Sequence, residues 1–211
     1  MKIGIIGATG KAGQAIYREA EKRNHDVTAI VRSSEKAREL FGDNVKMIKK
    51  DVFTLNQADL SGFDYIVDAF ASPKAYEHLD LAGKLIRMFR ENEETTLFFI
   101  LGAASLNDDN GKRYLDTILA NYADQPWIAT PLQQAHEYDY LQWIDNVKWT
   151  AISPQETFNV GPATGYVMGK ESIMKNSEGK STVTTGNVAK AVVDEIESPT
   201  HLNKRFTVVD Q

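Results

Sequence analysis

Six short, almost unbroken apolar runs separated by longer amphipathic stretches constrain this chain more than any other feature of its sequence. They fall at residues 2–6, 26–31, 45–48, 65–69, 97–101 and 149–152 and are rich in Ile, Val, Leu and Phe. A strand with one wet face alternates apolar and polar residues, whereas a strand covered by helices on both faces can be apolar throughout, as strands of a parallel sheet are. Residues 13–23, 79–90, 133–144 and 187–197 place apolar side chains at helical spacing, for example Ala82, Leu85, Ile86 and Phe89. Strand and helix in alternation predict a Rossmann-like, doubly wound parallel sheet in a three-layer α/β/α arrangement. Length sets the domain count: 211 residues are expected to form one domain spanning residues 1–211. After Ile152 the regularity weakens. Pro154, Gly161, Pro162, Gly165, Gly169 and Gly179 break up a stretch read as an excursion over the sheet's carboxyl edge, before a last helix and a last strand at residues 205–209.

Charge and composition remove several classes of function. Twenty-four basic against 29 acidic side chains leave a net charge of −5, the wrong sign for a nucleic-acid partner, which needs clustered Lys and Arg. The one basic run, residues 46–50, reads as a strand edge beside an acidic turn. With no cysteine, disulfide frameworks, thiolate metal sites and a cysteine nucleophile are excluded, and a reducing cytoplasm is the expected location. No apolar run approaches the roughly 20 residues of a membrane span, and the first residues read as a strand, not as a signal peptide. His25, His78, His136 and His201 lie too far apart for a ligand pair on one helix, so no metal is expected. Trp127, Trp143 and Trp149 are read as packing residues.

The strongest chemical signal is Gly7-Ala8-Thr9-Gly10-Lys11-Ala12-Gly13, between the first strand and the first helix. Glycine at every third position lets the backbone turn sharply and approach a diphosphate, and lets the helix pack close to the strand. The free N–H groups of a helix N-terminus then meet the anion. A nucleotide-triphosphatase loop is excluded, because Gly10-Lys11 and Gly169-Lys170 are followed by Ala12 and Glu171, neither of which carries a magnesium-binding hydroxyl. At the tip of the second strand stand Arg32 and Ser33 with no acid next to them. A guanidinium there favours the 2′-phosphate of NADP(H), with NAD(H) as second choice.

These motifs, followed by Asp51-Val52, Val67-Asp68-Ala69-Phe70, Gly102-Ala103-Ala104-Ser105 and Phe158-Asn159-Val160-Gly161-Pro162-Ala163-Thr164-Gly165, come in the order seen in atypical short-chain dehydrogenases. The chain resembles in particular the NAD(P)H–flavin reductase group, related to NmrA-like proteins and to biliverdin/flavin reductase, over essentially its whole length. The resemblance implies that Thr9, Gly10 and Ala12 contact the diphosphate and Arg32 the 2′-phosphate. It further implies that Asp51 and Val52 border the adenine, that Ala69, Phe70 and Ala71 lie along the ribose, and that Gly102, Ala103 and Ser105 approach the nicotinamide. Pro154 to Phe158 would form the far wall.

One family feature is missing. The usual base is a tyrosine with a lysine four residues later on a helix, but Tyr138 and Tyr140 are followed at that spacing by Gln142 and Ile144. Tyr166 and Lys170 match the spacing in a glycine-rich stretch and are read as coincidence. Alcohol oxidation is therefore disfavoured, and reduction of a flavin, quinone or similar planar acceptor is expected, since stacking supplies most of its geometry. Ser105 is the catalytic candidate, with Phe158 and Tyr140 as acceptor-binding candidates, while His136 is read as a surface residue. A redox sensor that binds NADP(H) with little turnover is the alternative. A homodimer is compatible with either reading.

Overall fold

The computed structural model describes all of residues 1–211. In chain order its elements are β1 (Lys2–Ile6), α1 (Lys11–Lys22), β2 (Asp26–Val31), α2 (Ser34–Phe41), β3 (Met47–Lys49), β4 (Tyr65–Asp68), α3 (Tyr76–Phe89), β5 (Thr96–Ile100), α4 (Tyr114–Tyr122), α5 (Ala129–Leu141), β6 (Trp149–Ser153), β7 (Thr157–Asn159), β8 (Tyr166–Gly169), β9 (Thr182–Thr184), α6 (Thr185–Glu197) and β10 (Lys204–Asp210). Eight strands form one sheet in the order β3-β2-β1-β4-β5-β6-β10-β8. All its neighbours are parallel except β8, which runs antiparallel to β10 with Val208 opposite Met168. The sheet is the expected Rossmann-like one, with the order reversing at β1 and β4.

Alternation along each strand divides the core in two. Ile3, Ile5, Ala29, Val31, Val67 and Phe98 face α1 and α6, packing with Ile16, Ala20, Val188 and Val192. Ile6, Ile30, Ile66, Leu97, Phe99 and Ala151 face α3 and α5, packing with Leu81, Leu85, Phe89 and Leu141. Each fully buried aliphatic or aromatic side chain contributes roughly 1.5–3 kcal/mol, so these two layers hold the carboxyl ends of the strands in fixed register. Register is what positions the site.

Three elements depart from the expected pattern. The third strand is shorter and later than residues 45–48, because only Met47–Lys49 pairs with β2. The lysines in and beside this strand each meet a carboxylate: Lys46 with Asp26 at 2.6 Å, Lys49 with Glu35 at 3.9 Å and Lys50 with Asp59 at 2.6 Å. Helix α2 was not anticipated. It is eight residues long and buries only Ser34 and Ala37, too few positions to show a period. The excursion after β6 adds β8 to the sheet edge and pairs β7 with β9 in a small parallel sheet. No helix is long and apolar enough to cross a membrane.

Candidate functional site

Where β1 ends, the chain turns under tight constraint. Gly7 has φ +71°, and a Cβ there would lie 2.6 Å from the carbonyl oxygen of Ala69. A Cβ on Gly13 would lie 2.3 Å from the carbonyl oxygen of Gly7. These two glycines are thus needed to let β1, β4 and α1 converge, and neither lines the cavity described below. Gly10 is different. Its φ of −82° is open to any residue, and it stands at the N-terminus of α1, where no side chain caps the helix and no acid occupies the first turn. The Gly10 N–H donates to the Gly7 carbonyl at 2.8 Å, and the next N–H to reach back is that of Gln14, to the Gly10 carbonyl at 2.9 Å. An uncapped helix start of this kind leaves N–H groups and the positive end of the dipole facing outward, where they favour an anion.

From this turn a cavity of about 530 Å³ runs across the carboxyl ends of the strands. Gly10, Lys11 and Ala12 form one end. Its floor is Ala69, Phe70 and Ala71 after β4 and Gly102 and Ala103 after β5. Its far wall is Pro154, Gln155, Glu156 and Phe158 after β6. Lys11 ties the two ends together: Nζ donates to the Phe158 carbonyl oxygen at 2.8 Å and sits 4.5 Å from the centre of the Phe158 ring. Gly102 leaves room for α5, since a Cβ there would meet Gln134 Oε1 at 2.4 Å.

The remaining wall had no counterpart in the sequence reading. It comes from α4, the single-turn helix Pro126–Ile128 and the start of α5, which contribute Tyr114, Ile118, Tyr122, Trp127 and Pro131. Tyr122 and Trp127 pack with ring centres 5.4 Å apart and remain about half exposed. Trp127, read from sequence as packing only, is therefore a rim residue of the cavity, whereas Trp149 is buried and Trp143 lies on the surface. His78 of α3 also lines the cavity, edge-on to Phe70 at 5.7 Å. Burial lowers its pKa, which keeps the imidazole neutral.

Several expected residues lie elsewhere. The Ser105 hydroxyl points away from the cavity and accepts a 2.6 Å hydrogen bond from Arg205, a fully buried guanidinium that also pairs with Glu171. This serine ties the turn after β5 to β10, and its catalytic assignment is corrected to a structural one. Tyr140 packs against the α3–α5 layer and does not line the cavity. Tyr138 donates to Glu171 and lies against the Arg205 guanidinium, 3.9 Å from the ring centre. Tyr166 donates to Asp194 at 2.7 Å on the edge strand, far from any role with Lys170. His136 is exposed.

On the nucleotide side, Thr9 is half-buried and uses its carbonyl to accept from Gln14, while Gly10 and Ala12, equally half-buried, line the cavity with the exposed Lys11. Arg32 is exposed at the tip of β2. Ser33 Oγ accepts from the Lys36 N–H as the cap of α2 and donates to Glu35 at 3.0 Å. An acid does stand close by after all. The hydroxyls of Ser33 and Ser34 and its own N–H hold the Glu35 carboxyl down to about 2. Asp51 is exposed and caps the turn at Phe53, but the Val52 side chain is buried in the core, so only its backbone can border a ligand.

A family described as NAD(P)H-binding matches this chain over residues 7–199. Among curated proteins, the uncharacterized YwnB of Bacillus subtilis is 41% identical over 217 aligned positions, covering 100% of this chain and 99% of its own. Among solved structures, a protein from Lactobacillus casei is similar with a TM-score of 0.95 and 42% identity, over 100% of this chain and 99% of that one. A candidate NADH-flavin reductase from Streptococcus pneumoniae has a TM-score of 0.88 and 33% identity, over 100% of both chains.

Proposed function

The chain belongs to the NAD(P)H-binding family, as an atypical short-chain dehydrogenase of the NmrA-like kind, and from that premise we propose that it is an NADPH-dependent reductase of planar, electron-poor rings. The observation that carries this reading is the continuity between an uncapped helix N-terminus at Gly10–Ala12 and an aromatic cavity at the strand ends. The residues fit a nicotinamide dinucleotide. The diphosphate would meet the first turn of α1, with Lys11 beside it, and the 2′-phosphate would meet Arg32. The bound dinucleotide supplies a hydride, two electrons with one hydrogen nucleus, and solvent supplies the balancing proton.

The chain itself binds and aligns. Phe70 and Phe158 bound the space beside Ala69 and Gly102, an aromatic-walled gap that would accept flat rings and keep water from between them. No tyrosine–lysine pair is needed, because a reduced flavin or quinone can take its proton from water. The name borne by the Streptococcus pneumoniae protein, an NADH-flavin reductase candidate, points the same way.

The test is NADPH oxidation followed at its near-ultraviolet absorbance with flavins and small quinones, alongside calorimetric titration with NADPH and NADH. Acceptor-dependent oxidation supports a reductase. The missing tyrosine–lysine pair also suits a sensor, and tight NADPH binding without oxidation of any acceptor would select that reading instead.

A further inference from the structure

We propose that the acceptor half of this cavity is built for an uncharged fused aromatic ring and discriminates against phosphate-bearing forms of the same ring, with Glu156 as a specificity-determining residue. This rests on the reductase reading for its biological sense, but the binding preference can be measured without turnover.

The ground is the distribution of charge. Lys11 is the only cation lining the cavity; it springs from the start of α1, and its ammonium reaches across to the Phe158 carbonyl at 2.8 Å, where it marks the boundary of the acceptor half. The only carboxylate of the lining, Glu156, is exposed at the opposite end beside Tyr114, whose hydroxyl is held protonated by burial and by Glu156 itself. The aromatic wall lies within residues 114–147, a stretch with no Lys or Arg. The charged residues between Tyr114 and Trp127 in the sequence are Asp116 and Asp124, both exposed and neither lining the cavity.

Past Glu156 the surface opens into a second, polar hollow lined by Glu178, Lys180 and Asp210. Its lysine is paired with Glu178 at 2.7 Å, and Lys175 nearby is paired with Asp109 at 2.9 Å. A ring seated against Tyr122, Trp127 and Phe158 therefore finds apolar and aromatic surface, but a phosphate tail leaving past Glu156 enters a hollow whose one lysine is already neutralised by Glu178 and whose remaining charges are the carboxylates of Glu156 and Asp210. Like charges within about 10 Å are felt at low ionic strength and fade with added salt.

Riboflavin and FMN differ only by the phosphate, which makes them the probes. Flavin fluorescence is titrated with the full-length protein, with and without saturating NADP⁺, at low and high salt, and a two-ring naphthoquinone is used to displace riboflavin. Riboflavin is expected to bind roughly five- to tenfold more tightly than FMN at low salt, with the ratio falling toward one in about 0.5 M salt. Glu156→Gln is expected to narrow the ratio by improving FMN, and the naphthoquinone is expected to compete with riboflavin. FMN binding as tightly as riboflavin, a ratio insensitive to salt, or no binding of either flavin would overturn the proposal. The two readings separate cleanly: the expected preference without NADPH oxidation removes the reductase and leaves the subsite, whereas oxidation with equal use of FMN and riboflavin removes the subsite preference and leaves the reductase.

Discussion

Replacing Asp68 by asparagine should stabilise the protein increasingly as pH rises. Asp68 is the last residue of β4, just before the cavity floor, and it is 7% exposed. Its Oδ1 accepts from the Phe70 N–H at 3.0 Å, which would hold the pKa down, but burial outweighs that bond and raises the carboxyl from 3.8 to about 7. Glu137 of α5, 4% exposed, faces the same region, and burial together with the charge of Asp68 pushes its pKa up as well. Between about pH 4 and 7 the unfolded chain has released the Asp68 proton while the folded chain keeps it. The unfolded state then binds fewer protons, and stability falls with rising pH until it levels off above about 7.

A shift of about three units at roughly 1.4 kcal/mol each sets a ceiling of about 4 kcal/mol at pH 8 and about 1.5 kcal/mol at pH 5. Asparagine keeps the acceptor for Phe70 and carries no charge at any pH. Its advantage over aspartate should therefore be about 2–3 kcal/mol larger at pH 8 than at pH 5, which corresponds to roughly 4–12 °C in Tm for a chain of this size. Urea denaturation of both proteins at the two pH values measures it. A stability difference that stays constant with pH, or that shrinks as pH rises, would refute the idea that Asp68 is buried as an acid.

Three further substitutions test the nucleotide end. Arg32→Ala should weaken NADPH by about tenfold or more, the worth of a charge-assisted pair to phosphate, and NADH by no more than about twofold; equal losses in calorimetry would show that Arg32 does not read the 2′-phosphate. Gly10→Val keeps an ordinary φ but sets a branched side chain, its Cβ 3.2 Å from the Gly7 carbonyl oxygen, where the diphosphate would lie. It should abolish NADPH binding with the far-ultraviolet circular dichroism intact, and unchanged affinity would sink the diphosphate assignment. Gly13→Ala forces a methyl group to 2.3 Å from a backbone oxygen and should cost stability by about 1–3 kcal/mol. Denaturant unfolding with a wild-type midpoint would contradict that close approach.

What could be read in advance were the features set by local sequence. The strands at residues 2–6 and 26–31, the helix after Gly10 and the presence of a cavity at the strand ends all follow from apolar runs and a glycine turn, which need no knowledge of distant residues. The errors come where a side chain's direction is decided elsewhere. Ser105 has the spacing of a strand-end active-site serine, but Arg205, a hundred positions later, captures its hydroxyl. Tyr138 and Tyr140 sit on a helix whose apolar residues are spread around it, so the sequence does not say which of them faces the cavity; in the folded chain neither does. The α4 wall escaped notice for a related reason. Tyr122 and Trp127 look like ordinary packing residues until the chain returns over the sheet and leaves them half exposed at a rim.

The two halves of the cavity also differ in origin, and that difference bears on how one site can handle two ligands. The half at β1, β4 and β5 is made of backbone: glycines, alanines and an uncapped helix start, whose N–H groups favour an anion as long as no branched side chain, such as one at Gly10, covers them. The other half, formed by α4, the start of α5 and the segment after β6, is made of side chains that carry aromatic surface and, at Glu156, negative charge. Lys11, reaching from the first half to the Phe158 carbonyl of the far wall, marks the boundary between them. On the proposed reading, the diphosphate would lie at the helix start of the first half, and the aromatic side would be left for the ring that is to be reduced.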